Sequence, residues 1–90
     1  MRVIWSVPAL QDVGRIYDYV AGFNPIAAAE LARQLKEAGD TLRNFSGRGR
    51  PIGKMRRELL VIWPYVIRYR VRGQVVEIMR IRHGRRKRLR

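Results

Sequence analysis

The spacing of hydrophobic and polar positions changes character twice along this chain. Arg2–Trp5 is a short apolar run and predicts a strand. Ser6 can cap a helix, and Pro8 is tolerated in its first turn, where the missing N–H would have had no partner. Apolar residues then fall at Leu10, Val13, Ile16, Tyr17 and Val20, with Gln11, Asp12, Arg15 and Asp18 on the opposite face. That is helical spacing. Gly14 lies inside this helix, and the expectation is that it makes room for a close neighbour such as a second helix. Gly22 is placed to end the helix. Asn24-Pro25 supplies the cap and first residue of the next one. Its stripe runs through Ala28, Leu31, Leu35, Ala38, Leu42 and Phe45 at steps of three and four. Phe23 and Asn24 separate the two helices, which predicts an antiparallel hairpin.

From Ser46 to Gly53 the pattern lapses. Three Gly and one Pro in this stretch predict a loop without regular structure. Beyond it, three runs rich in Val, Ile, Leu, Tyr and Trp read as strands: Arg56–Trp63, Tyr65–Arg72 and Val75–His83. Pro64 cannot donate to a ladder and ends the first. The short Arg72-Gly73-Gln74 segment suits a tight hairpin. Short connections make a three-stranded antiparallel meander. In the middle run Tyr65, Ile67, Tyr69 and Val71 share one face, while Val66, Arg68, Arg70 and Arg72 share the other. The same alternation puts Met79 and Ile81 inward and Arg80 and Arg82 outward. The predicted architecture is α+β: a helical hairpin on one face of a small, mainly antiparallel four-stranded sheet, in the order β-α-α-β-β-β. Leu59–Trp63 is apolar on both faces, so something besides the hairpin must cover half of it.

Ninety residues suit a single domain, 1–90, ending in a basic tail, 85–90. There is no cysteine, which excludes disulfides and thiolate metal sites, and no metal or cofactor is expected. The opening residues show no signal peptide, and no apolar run reaches the roughly 20 residues of a membrane span. A cytoplasmic protein with no membrane partner is expected. Charge adds more. Residues 1–45 balance five basic side chains (Arg2, Arg15, Arg33, Lys36, Arg43) against five acidic ones (Asp12, Asp18, Glu30, Glu37, Asp40). The net charge of +13 therefore lies wholly in residues 46–90, where only Glu58 and Glu77 are acidic. Such a surface implies an anionic partner. A plain nucleic-acid-binding domain fits the charge, but both helices lie in the neutral half, which leaves no recognition helix.

The order of elements, with Arg-Arg-Glu-Leu-Leu-Val at 56–61, Pro-Tyr-Val-Ile-Arg-Tyr-Arg-Val at 64–71 and Val-Glu-Ile-Met-Arg-Ile-Arg-His-Gly-Arg-Arg at 76–86, resembles the ParE/RelE superfamily of bacterial toxins from type II toxin–antitoxin systems. Asn24-Pro25-Ile26-Ala27-Ala28 is similar to the Asn-Pro-x-Ala-Ala opening of the second helix in ParE-like members. The resemblance implies a toxin that pairs with a cognate antitoxin in a hetero-oligomer. RelE-like members cleave mRNA on the ribosome, whereas ParE-like members poison DNA gyrase without recognised catalytic residues. Cleavage calls for clustered Lys and Arg with an acid and a base. By position, that set is damaged here: Val66 stands where the RelE pattern has Arg, Arg57 and Leu59 stand where it has Lys, and no Tyr follows His83.

The resemblance therefore implies the ParE branch, with DNA gyrase as target. A ribosome-dependent mRNA endonuclease is the alternative, with His83 and Arg57 as its candidate catalytic residues. Partner-binding candidates are Arg68, Arg70, Arg80, Arg82, Arg85 and Arg86. The run Leu59, Leu60, Val61, Ile62 and Trp63 is the surface expected to face the antitoxin.

Overall fold

A computed structural model describes residues 1–84 of the chain. Strand β1 (Arg2–Trp5) leads into helix α1 (Val7–Ala21) and helix α2 (Pro25–Asp40), which continues as one short 3-10 turn, Thr41–Arg43. Four strands follow: β2 (Arg50–Gly53), β3 (Arg56–Ile62), β4 (Tyr65–Arg72) and β5 (Val75–His83). They form one five-stranded sheet in the order β1-β5-β4-β3-β2. β1 runs parallel to β5, and the other pairs are antiparallel.

Both helix starts form as their residues dictate. The Ala9 amide donates to Ser6 Oγ at 3.1 Å, and the Ala27 amide donates to Asn24 Oδ1 at 3.0 Å. The sheet has one more strand than the four expected. The Gly- and Pro-rich stretch is not wholly a loop, because Arg50–Gly53 pairs with β3. It does so at the sheet edge, where a missing proline N–H costs no ladder bond, and with a register shift between Pro51 and Gly53.

The core lies between the hairpin and the inner face of the sheet. Leu35 and Leu42 meet Ile67, Tyr69, Val76 and Ile78, all fully buried. The Tyr69 hydroxyl donates to the Ser46 carbonyl at 2.7 Å and accepts from the Gly49 amide at 2.9 Å, which ties down the connection into β2. Strand alternation holds along β4, where Ile67 and Tyr69 are buried. It slips in β5. Arg68 pairs with Arg80 but Tyr69 pairs with Ile78, so Met79 is an extra, bulged residue. Ile78 therefore joins Ile81 in the core in place of Met79.

Other expectations shift with the packing. Phe45 lies beyond α2 and is exposed rather than part of its buried stripe. Gly14 makes no room for a neighbour: a Cβ there would meet nothing. The close approach occurs at Gly39, where a Cβ would collide with the ring of Trp5. That ring is fixed by its Nε1, which donates to Asp40 Oδ1 at 3.1 Å.

The two glycines should thus respond oppositely to alanine. Gly14→Ala is expected to stabilise the fold by about 0.5–1 kcal/mol, because it restricts the unfolded chain and meets no obstacle. Gly39→Ala should destabilise it and lower the melting temperature. Leu35→Ala should cost about 2–5 kcal/mol through the cavity it leaves. Urea and thermal melts of the three variants check these.

Candidate functional site

The outer face of the sheet, away from the helices, is built in cross-strand rows. One row joins Arg50, Glu58, Arg68 and Arg80. The next joins Arg56, Arg70 and Glu77. A third joins Leu60, Val66 and Arg82. Pairing in the first two rows follows from cross-strand adjacency. Arg68 Nη2 donates to Glu58 Oε2 at 2.8 Å, and Arg50 Nη2 reaches the other oxygen at 3.3 Å. Glu58 is buried between them. Arg70 donates twice to Glu77 Oε1, at 3.0 and 2.8 Å.

This corrects the picture of an uncompensated arginine face. Arg68 and Arg70 are held by the only two acids of the second half of the chain. Arg80 is held by an acid from the first half, Asp12. Arg82 differs from these three. It makes no ion pair among the described residues, and its Nε is buried without an acceptor. Arg85 and Arg86 lie outside the described residues.

β1 stops at Trp5, and α1 closes over the edge of β5 that runs on beyond it. The Ser6 amide donates to the Ile78 carbonyl and Ser6 Oγ to the Met79 carbonyl, each at 3.0 Å. Asp12 then takes four donors. Its Oδ2 accepts from the Ile81 amide at 2.9 Å and from Arg80 Nε at 2.8 Å. Its Oδ1 accepts from Arg80 Nη2 at 3.1 Å and Arg15 Nη2 at 2.6 Å. Burial pushes the Asp12 carboxyl up, but Arg80, the Ile81 amide and Arg15 together outweigh it and hold it below the ordinary carboxylate value. The same pairing raises Arg80.

Beside this cluster lies an open groove of about 590 Å³, lined by Arg15, Tyr19, Tyr65, Arg82 and His83 among others. His83 meets Tyr65 edge to face, with ring centroids 5.6 Å apart, and its Nδ1 is buried without a partner among the described residues. Arg57, the other nuclease candidate, is far from this groove in function: its Nη1 donates to the Gly49 carbonyl at 2.6 Å and the Gly47 carbonyl at 3.3 Å. It holds the loop before β2. Among the described residues no group of His, Asp or Glu could hold a metal ion.

The apolar run divides. Leu59 is buried opposite Ile67 and is therefore unavailable to a partner, and Val61 packs against the core. Leu60, Ile62 and Trp63 remain exposed, at 56%, 42% and 59%. They form an apolar surface that neither helix covers.

The family model described as the ParE toxin of the type II toxin–antitoxin system parDE matches residues 3–88. The chain belongs to this ParE toxin family. Among relatives, Toxin RelE2 of Caulobacter vibrioides is 46% identical over 92% of this chain and 94% of its own length. Toxin RelE1 of the same organism is 39% identical over 91% of each. A solved structure titled "Chromosomal ParDE TA system from P. aeruginosa" superimposes with a TM-score of 0.81 at 32% identity, covering 92% of this chain and 95% of that one.

In this ParE-family toxin, helical periodicity alone puts Asp12 on the polar side of α1 and misses its role. A signal existed. Asp12 falls between Ala9, Val13 and Ile16, the positions that pack against the core. A carboxylate on a buried stripe needs a cationic partner. Asp12→Asn should therefore destabilise the fold at neutral pH by about 1.5–3 kcal/mol, the range for hydrogen bonds to a charged group. The sign with pH is fixed. The folded carboxyl titrates below its ordinary value of 3.8, so the unfolded chain takes the proton first. The contribution is complete above that value and fades as the pH falls below it. Urea midpoints at pH 7 and pH 2.5 should drop less steeply for Asp12→Asn than for the parent chain.

Proposed function

We propose that this toxin acts by poisoning DNA gyrase, supplies no bond-breaking group of its own, and is neutralised by a cognate antitoxin. One observation carries the reading: the carboxylates of the sheet and its margin, and the Arg57 guanidinium, which cleavage would call upon, are already committed to holding the fold. A general base for a ribose 2′-OH needs an available lone pair and a suitable pKa. Glu58 is buried between Arg68 and Arg50, Glu77 is bound to Arg70, and Asp12 is held below the ordinary carboxylate range by four donors. Arg57, which would steady phosphorane charge, is spent on two backbone carbonyls. A poison of an enzyme–DNA intermediate needs only a complementary surface, and Arg82, Arg85 and Arg86 add positive charge for one.

The antitoxin reading is supported by family membership and by the exposed Leu60, Ile62 and Trp63, a surface suited to an acidic, amphipathic segment that folds as it binds. A binder of the folded state also stabilises it by mass action.

A second reading is ribosome-dependent mRNA cleavage. His83 favours it, because it sits in an open groove beside Arg15, Arg82 and Tyr65. The relatives named RelE2 and RelE1 are a further reason to test it. Induction in cells separates the two. The gyrase reading expects a DNA-damage response, intact mRNA, and little loss of toxicity in His83→Ala. Arg82→Ala combined with Arg85→Ala and Arg86→Ala should reduce toxicity more. Cleavage of translated mRNA with undamaged DNA, abolished by His83→Ala, would replace the gyrase reading with the nuclease one.

A further inference from the structure

Among the described residues, Arg82 is the outer-face arginine with a buried nitrogen that has no acceptor. Arg68, Arg70 and Arg80 each have a carboxylate within 2.8 Å. Arg82 has none among the described residues, and its Nε is shut away from solvent with no acceptor. A buried donor left unpaired is costly, and a fixed guanidinium is shaped for a carboxylate or phosphate. No described acid is paired with Arg82, and the three that reach the outer face, Glu58, Glu77 and Asp12, are engaged elsewhere.

The surroundings define what completes it. Arg82 shares a cross-strand row with Val66 and Leu60. Trp63 lies against the same strip: a Cβ on Gly84 would sit 3.3 Å from Val66 Cγ2 and 3.9 Å from Trp63 Cζ3. Leu60 and Trp63 are both more than half exposed. The strip is thus apolar and open, with Arg82 at its border as an unpaired cation among the described residues. A nucleic-acid backbone would need several free cations in series and has no use for the apolar part.

We propose that Arg82 is the anchor for a carboxylate on an acidic amphipathic peptide segment of the antitoxin, whose apolar residues cover Leu60, Val66 and Trp63. The proposal rests on the antitoxin reading above and deepens it by naming the cation that the partner must satisfy. Charge complementarity selects this occupant: the chain carries +13, and the strip offers hydrophobic contact beside one unsatisfied guanidinium. A partner carboxylate on Arg82 also removes that side chain from any other anion. Antitoxin and target contacts made through it exclude one another.

The test uses the protein encoded by the gene beside this one as the probe, with the full-length toxin and its Arg82→Gln, Arg82→Lys and Arg56→Gln variants. Calorimetry should show Arg82→Gln binding weakened about 30-fold or more, as for removal of one side of a buried charge pair. Arg82→Lys should recover part of that loss, and Arg56→Gln should bind as the parent does. The free toxin gives an independent arm. Arg82→Gln should leave its melting temperature unchanged or raised, because it removes an unpaired buried donor. Tight binding by the parent with Arg82→Gln within about threefold of it overturns the proposal alone. A marked fall in the melting temperature of free Arg82→Gln also overturns it, since Arg82 would then be holding the fold. Failure of the parent toxin to bind the neighbouring gene product overturns the antitoxin reading, and the proposal with it.

Discussion

One buried carboxylate joins the two halves of this molecule. Asp12 lies on a helix in the neutral half of the chain and binds Arg80 and the Ile81 amide in the last strand, 68 and 69 residues away. The interaction does three things at once. It satisfies an edge amide of β5 beyond the end of β1, where an open edge would otherwise recruit another strand. It fixes α1 against the sheet just past the Met79 bulge. It also neutralises Arg80. Four donors to one carboxylate more than offset its desolvation, which is why the group stays charged in a buried position.

The same logic runs across the outer face. Cross-strand pairing brings Glu58 to Arg68 and Glu77 to Arg70, so the few acids of a strongly basic chain are placed where they neutralise the centre of its sheet. Among the described residues, the buried Arg82 Nε that lacks an acceptor lies at one end of the sheet, beside the exposed Leu60 and Trp63. That end is also where the groove beside α1 opens. The fold thus sets a charge-paired centre of the sheet apart from a margin where an unpaired donor lies beside exposed apolar side chains.

Much of the fold was legible in the sequence because it is written locally. Pro64 and Gly73 flank the middle strand of the meander, so the expected bounds of β4 and β5 match the observed ones and β3 ends one residue short of the expected Trp63. Ser6 and Asn24 cap the helices as their positions suggest. The misses have nonlocal causes. β2 exists because β3 offers it an edge, which overrides its Gly and Pro. The β5 bulge exchanges Met79 for Ile78 in the core, and period-two alternation cannot register an extra residue. Gly39 matters through Trp5, 34 positions earlier, so no helical pattern flags it. The arginines looked free because their acids lie on other strands or another helix. Arg57 looked available for chemistry for the same reason, although it fastens the loop before β2.

Family membership states what kind of system this chain belongs to, while the committed state of its acids and of Arg57 bears on how the toxin acts. The central claim is that it harms by occupying a surface and not by breaking bonds. The most direct measurement is a reconstituted reaction: supercoiled plasmid, purified DNA gyrase, ATP and the toxin, quenched with detergent and protease. The account predicts linear DNA that accumulates with toxin concentration and requires gyrase. Intact plasmid throughout, with the same toxin preparation cutting mRNA on purified translating ribosomes, would contradict it.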